Sequence, residues 1–247
     1  MKAPEPENSG AYTPRGENIP LSVLKTISCL AVLCVFLLPG CVPGSGFKIQ
    51  DLAKTNIDTI SEIHMNQAVK LLKSLTCKLY KKNPSQLKKG QSISSRLDQI
   101  FRCPSEKYAE LDFQDSTKAI LMGLDPKYTG DRVFAVMYGL YTMIRRTYNN
   151  KCELFLLDYL DSQKLYNSAR NIEILVWRLK TRLSAKGRPL LLTNSLDGNI
   201  QNLSFERIFG KLISIQDTMA LIVSNRTGRA IKEAVQIAGM AFLPIGI

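Results

Sequence analysis

The sequence predicts an all-α fold, a multi-helix bundle whose C-terminal half is a long antiparallel helix pair, preceded by a signal peptide and a flexible tether. Two apolar seams and the loop between them predict the pair. Leu165, Ala169, Ile172, Val176, Leu179 and Leu183 are spaced 4, 3, 4, 3, 4, and Phe205, Ile208, Leu212, Ile215, Met219 and Ile222 are spaced 3, 4, 3, 4, 3. Such spacing lines each set along one helix face, as in coiled-coil packing. Gly187 and Pro189 stop the first helix, and a loop of about 15 residues around "LLLTNSLDGNIQN" is long enough to reverse the chain. Seams of this length fit an intramolecular core better than an oligomeric coiled coil, which needs more heptads.

The remaining elements follow in chain order. A first helix is predicted over 55–80, with Ile57, Ile60, His64, Ala68, Leu71 and Leu75 at helical spacing; Asn83-Pro84 and Gly90 end it. Short helices are expected over 94–101, 105–113 (after Pro104) and 116–124, the last ending where Pro126 disfavours helix at Asp125. Helix over 130–148 packs Val133, Val136, Met137, Leu140, Tyr141 and Ile144. Asp131 suits its positive end, Arg145 and Arg146 its negative end, and Asn149-Asn150 makes the following turn. Ser204 is a candidate cap for the last helix. The terminal "AVQIAGMAFLPIGI" is too short to span a bilayer and is broken by Pro244, so it is expected to pack back on the bundle.

At 247 residues, 45% hydrophobic and 22% charged, the chain is long enough for one real core. Lys+Arg 33 against Asp+Glu 21 leaves a formal charge of +12, which attracts polyanions. His64 is the single histidine, which removes most imidazole-based catalytic and metal layouts, and its spacing places it on or beside a packing face.

The N-terminal segment sets compartment. Residues 1–20 are rich in Pro, Glu, Asn and Gly without apolar period, and are expected to be disordered. After Lys25 an apolar run extends from Ile27 to Leu38, broken only by Ser28; this is signal-peptide length, short of the ~20 residues a spanning helix needs. The run ends in Leu37, Leu38, Pro39, Gly40 and Cys41, and then "VPGSG" forms a flexible spacer. These residues resemble the lipobox of bacterial lipoproteins. The resemblance implies cleavage before Cys41, a diacylglyceryl group on its sulfur and acylation, for example palmitate, of its new amine. Pro39 and the long acidic lead of Glu5, Glu7 and Glu17 depart from the family pattern. Neither Cys29 nor Cys34 combines the preceding small residue with a full apolar run. Three segments result: 1–40 as signal peptide with its lead, 41–52 as lipidated cysteine and tether, and 53–247 as a periplasmic helical domain. In that family Asp directly after the cysteine favours inner-membrane retention, so the resemblance with Val42 at that place implies the outer membrane. "LSFERIFGKLISIQDTMA" also resembles a helix of uncharacterised proteobacterial lipoproteins, a family with no activity to transfer.

Chemical motifs are sparse. Cys77, Cys103 and Cys152 remain in the mature chain; Cys77 with Cys103 would staple the lysine-rich loop, and the alternative is three buried thiols. Metal-site spacing, P-loop and nucleophile-elbow motifs are absent, and no cofactor is implied. Glu106, Glu110, Asp112 and Asp115, with Asp98, offer the carboxylates a cell-wall or glycan hydrolase would need, but their irregular spacing beside Lys107 and Lys118 reads more simply as a solvated face. Positive charge is better organised. Lys70, Lys73, Lys78, Lys81, Lys82, Lys88, Lys89 and Arg96 form a run without an acid, a candidate patch for anionic lipid or glycan; Arg178, Lys180, Arg182, Lys186 and Arg188 form a second. Nucleic acid is the poorer partner, since no binding module accompanies the charge.

The expectation is a non-enzymatic envelope protein, anchored to the membrane by lipid and engaging an envelope protein partner. An envelope hydrolase is the first alternative. The second is a secreted helical-bundle ligand, for which Asn202-Leu-Ser and Asn225-Arg-Thr would be glycosylation sequons.

Overall fold

The computed structural model describes residues 56–154, 159–194, 203–233 and 241–245, and among them the regular structure is helical, without a strand. Six α-helices follow in order: α1 Asn56–Lys82, α2 Ile93–Ile100, α3 Ser116–Gly123, α4 Arg132–Thr147, α5 Ser162–Thr181 and α6 Ser204–Thr227. The predicted signal peptide, Cys41 and the tether lie outside the described residues.

The fold is built around α4. Its sequence, "RVFAVMYGLYTMIRRT", is apolar on nearly every side, and every residue except Arg146 is buried. A helix without a polar face has no surface to give to water and must sit at the centre. The Asp131 side chain caps it by accepting from the Phe134 amide at 2.8 Å, and Arg145 and Arg146 lie in its last turn. Beyond it, Asn149 and Asn150 turn the chain in the left-handed region, at φ 55° and 58°, which asparagine tolerates better than most residues.

Close approach of α3 to α4 rests on two glycines. A Cβ on Gly139 would stand 2.6 Å from the Ser116 carbonyl oxygen and 2.8 Å from the Ile120 nitrogen; one on Gly123 would stand 2.8 Å from a Val136 methyl. Thr142 Oγ1 accepts from the Ser116 amide and donates to the Tyr138 carbonyl, both at 2.8 Å. The end of α3 is closed by a side chain from its neighbour. Arg132 donates to the carbonyls of Gly123 at 2.9 Å and Asp125 at 2.6 Å, and also to those of Pro126 and Tyr128, satisfying oxygens a helix terminus leaves open.

Helix α1 lies against this centre with Met65, Ala68, Leu72, Leu75 and Leu79 buried. The predicted line is therefore rotated: Ile57, Ile60 and Leu71 pack at the flank, because both sides of this stretch are apolar and spacing alone does not choose between them. His64 sits half-buried at the rim, its Nδ1 2.8 Å from the Ile60 carbonyl oxygen.

The predicted helix over 105–113 does not form. Its place holds irregular chain with one 3-10 turn, Ala109–Leu111, followed by Asp112 and Phe113 at positive φ. Tertiary contacts override local propensity here. Tyr108 places its ring edge-on to Phe134 and Tyr138 and donates to the Gln99 carbonyl at 2.7 Å, a geometry a regular helix would not reach.

The C-terminal pair is antiparallel as expected. Arg170 of α5 meets Asp217 of α6 at 2.7 Å while Lys180, further along α5, meets Glu206, further back on α6. Leu165, Ala169, Ile172 and Leu179 occupy the seam, facing Phe205, Ile208, Leu212 and Met219. At three places the buried position is the neighbour of the predicted one: Leu175 rather than Val176, Gln216 rather than Ile215, and Val223 rather than Ile222. A 3.6-residue helix drifts against a strict heptad, so the seam slides sideways along its length. Leu183 lies beyond the end of α5 and is exposed, and Ser204 is the first helical residue, with Leu203 rather than Ser204 in the cap position.

The tail returns to the bundle where it is described. Asn171, fully buried on α5, accepts from the Leu243 amide at 2.6 Å and donates to its carbonyl at 2.9 Å; Asn167 donates to the Pro244 carbonyl at 2.9 Å, and Ile245 is buried. Replacing Asn171 with alanine strands both Leu243 backbone groups. It is expected to cost about 1–3 kcal/mol and to open the Leu243 amide to rapid hydrogen exchange, which a site-resolved exchange experiment reads directly.

Cysteine pairing differs from the predicted option. Cys103 is bonded to Cys152, with Cα atoms 5.8 Å apart, and Cys77 is a free thiol, half-buried on α1. The reason is the turn after α4: it carries Cys152 back to the loop after α2, which Tyr141 holds against α4 by donating to the Arg102 carbonyl at 3.3 Å.

Candidate functional site

Most of the predicted basic patch is surface. Lys70, Lys73 and Lys81 are exposed on α1, Lys78 and Lys82 are half-buried, and Lys88 and Lys89 are exposed in the loop that follows. Lys73 also lies over the Phe101 ring, 5.7 Å from its centroid, a cation–π contact that steadies the ammonium without removing its charge. The lysines thus follow one another along the second half of α1 and into its following loop, a stretch without an acid in sequence. In the second run, Arg182, Lys186 and Arg188 are exposed, while Arg178 is buried against Phe242 of the tail, 5.2 Å from its ring centroid.

Arg96 does not belong to the patch. It is fully buried, and its guanidinium stacks 4.1 Å from the centroid of Phe134. Two of its nitrogens take the Glu110 carboxylate at 2.6 and 2.9 Å, one of them also donating to Gln99 at 3.0 Å, and Nε stands 3.3 Å from Asp131 Oδ2. Tyr80 donates to the same Asp131 oxygen at 2.8 Å. The cluster therefore joins α1, α2, the 3-10 turn and the start of α4 through one cation. Sequence order places Arg96 in the same acid-free run as the lysines; its partners lie 14 and 35 positions away, so the run alone does not reveal its burial.

Electrostatics fit a closed interior clasp. Burial pushes the Asp131 carboxyl up, against the lowering effect of the Phe134 amide, the Tyr80 hydroxyl and Arg96. Burial, with the Asp131 charge behind it, drives the Tyr80 hydroxyl far above its ordinary range. Burial also opposes the Arg96 cation, yet the hydrogen bonds and charge of Glu110 outweigh it and hold the guanidinium charged.

The carboxylates proposed for a hydrolase are not gathered around a cleft. Glu106 pairs with Arg102, Glu110 with Arg96, and Asp115 with Arg146 at 2.8 Å, while Asp98 and Asp112 are exposed. Carboxyls with raised pKa lie elsewhere: Asp131 is the α4 cap, and Asp217, raised by burial, pairs with Arg170 across the helix pair. Among the described residues, no group of three or more His, Cys, Asp or Glu side chains is placed to hold a metal ion, and no helix is long and apolar enough to cross a membrane.

One cavity of about 290 Å³ opens between α1 and the turn after α4, lined by Glu62, Met65, Asn66, Tyr148, Lys151 and Cys152 among others. The Tyr148 hydroxyl is buried without a hydrogen-bond partner, and burial raises its pKa.

Compared with protein-family models, curated proteins and solved structures, the chain matches none. The lipobox resemblance therefore stands on the residues quoted for it.

Proposed function

We propose that the protein is a lipid-anchored, non-enzymatic component of the bacterial cell envelope. Cys41 carries the lipid in the outer membrane, residues 41–52 form the tether, and the helical domain stands in the periplasm to engage an envelope protein partner. The observation that carries this reading is the apolar run ending in Leu37, Leu38, Pro39, Gly40 and Cys41, followed at once by a Pro/Gly/Ser spacer. Two or three acyl chains would anchor the chain firmly, at about 0.8 kcal/mol per buried methylene.

The basic surface supports the same reading. The exposed lysines of α1 and of the loop after it carry a charge attractive to anionic headgroups or glycan, each contributing up to about 1 kcal/mol near an anionic leaflet. Fractionation of cells expressing the protein with its native N-terminus tests the anchor. Wild type is expected in the membrane pellet, released by detergent but not by high salt, and Cys41→Ala is expected to lose detergent-dependent release. Wild type that leaves the pellet with salt alone would overturn the reading.

A further inference from the structure

Arg145 is a buried cation without an anionic partner. Its residue is 4% exposed, its Nε has no hydrogen-bond partner, and among the described residues no carboxylate stands within ion-pair distance of it. One of its nitrogens donates to the Asn150 carbonyl at 2.6 Å, lies 2.7 Å from Cys103 Sγ and lies 3.7 Å from Cys152 Sγ. Burying a charge unpaired is costly, so native structures supply a counter-charge or a reason for doing without one. The disulfide supplies none while it is oxidised. Reduction would, because a thiolate at Cys103 would sit directly against the guanidinium.

We propose that the Cys103–Cys152 disulfide is an exchange-active redox site, with Arg145 stabilising the Cys103 thiolate as the leaving group. Both cysteines are exposed, so an external thiol reaches them without unfolding the bundle. The two sulfurs differ in their surroundings. Cys152 lines the cavity described above, whereas Cys103 is the sulfur nearer to Arg145. The partner is a dithiol, either small or carried on a protein. One of its thiolates attacks Cys152 Sγ from the cavity, the Cys103–Cys152 bond breaks, and the electron pair leaves on Cys103 Sγ beside the guanidinium. The partner's second thiol then attacks the mixed disulfide. It closes the partner's own disulfide and passes its proton to Cys152, leaving one thiolate and one thiol on this protein. Two electrons move from the dithiol to the cystine. A stabilised leaving thiolate makes both exchange and reduction easier than at an ordinary structural disulfide.

Placing a cation against sulfur has a readout that a merely structural bridge would lack. In the reduced full-length chain, the Cys103 thiol should titrate about one pH unit or more below the ordinary value of about 8.5, read from peptide-resolved alkylation rates against pH. Arg145→Met should return it to the ordinary value. At a pH above both thiol values, the same variant should shift the equilibrium with glutathione about tenfold toward the disulfide, since about one pKa unit of thiolate stabilisation is lost there. Arg145 is buried, so the measurement is repeated in Cys152→Ser, where Cys103 is a lone thiol beside an intact Arg145 and the low value should persist. A Cys103 thiol that titrates at the ordinary value in both the reduced wild type and Cys152→Ser would overturn the proposal. So would a folded Arg145→Met chain with unchanged titration and unchanged glutathione equilibrium.

Discussion

Arg96→Met is expected to destabilise the protein by about 3–5 kcal/mol, the cost of removing one partner from a buried ion cluster. The guanidinium is the only cation within reach of Asp131 among the described residues, and it also takes both oxygens of Glu110. Methionine fills comparable volume beside Phe134, so packing loss is modest and the charge effect dominates. Asp131 would then be left buried with only the Tyr80 hydroxyl and the Phe134 amide. Urea unfolding at neutral pH should show a lower midpoint at unchanged slope, the mark of lost stability rather than altered compactness.

The pH dependence of that loss has a definite sign. Burial already raises the Asp131 carboxyl above its ordinary value, and losing Arg96 pushes it further. A carboxyl raised in the folded state takes up its proton there before the unfolded chain does. Stability is therefore recovered as pH falls and withdrawn as pH rises through the raised value. The gap between Arg96→Met and wild type should be widest at neutral pH and should narrow in acid. Combining Arg96→Met with Asp131→Asn, which keeps a capping side chain but removes the charge, should recover part of the loss. By contrast Arg102, exposed in its pair with Glu106, should tolerate methionine without measurable change. A folded Arg96→Met chain as stable as wild type would mean the cluster holds nothing together.

Gly139→Ala is the second large effect expected. In an exposed helix interior, glycine to alanine stabilises by about 1 kcal/mol. Here the new methyl would stand 2.6 Å from the Ser116 carbonyl and 2.8 Å from the Ile120 nitrogen, both backbone atoms of α3 that cannot turn aside. Helix α3 would have to move off α4, straining the Thr142 hydrogen bond to Ser116. The net result should be a loss of about 1–3 kcal/mol, the usual range for overpacking a core. Gly210 is the internal control. It lies on the exposed side of α6 with nothing within 4 Å of a Cβ, so alanine there should raise the unfolding midpoint. Opposite signs at two helical glycines would separate tertiary crowding from helix propensity.

Local pattern made much of the fold legible. The apolar surround of α4, its Asp131 cap, the paired asparagines that follow, the antiparallel α5–α6 pair and the returning tail are all consequences of neighbours close in sequence or of a simple period. What the sequence did not disclose depends on residues that meet only in three dimensions. Tyr108 finds Phe134 and Tyr138, and the predicted helix over 105–113 gives way to them. Arg96 has the spacing of a surface lysine run, yet Glu110 and Asp131 draw it inside. Cys103 pairs across 49 positions with Cys152, because the turn after α4 delivers that sulfur and α1 holds Cys77 elsewhere. Arg145 offered only a favourable charge at the end of a helix; its contact with both sulfurs follows from that pairing.

The proposed lipid on Cys41 is read by intact-mass measurement of the mature protein, expressed with its native N-terminus. The expected mass is that of a chain beginning at Cys41, lighter by residues 1–40 and heavier by a diacylglyceryl group and an amide-linked acyl chain. A mature chain that begins elsewhere, or one that begins at an unmodified Cys41, would contradict it.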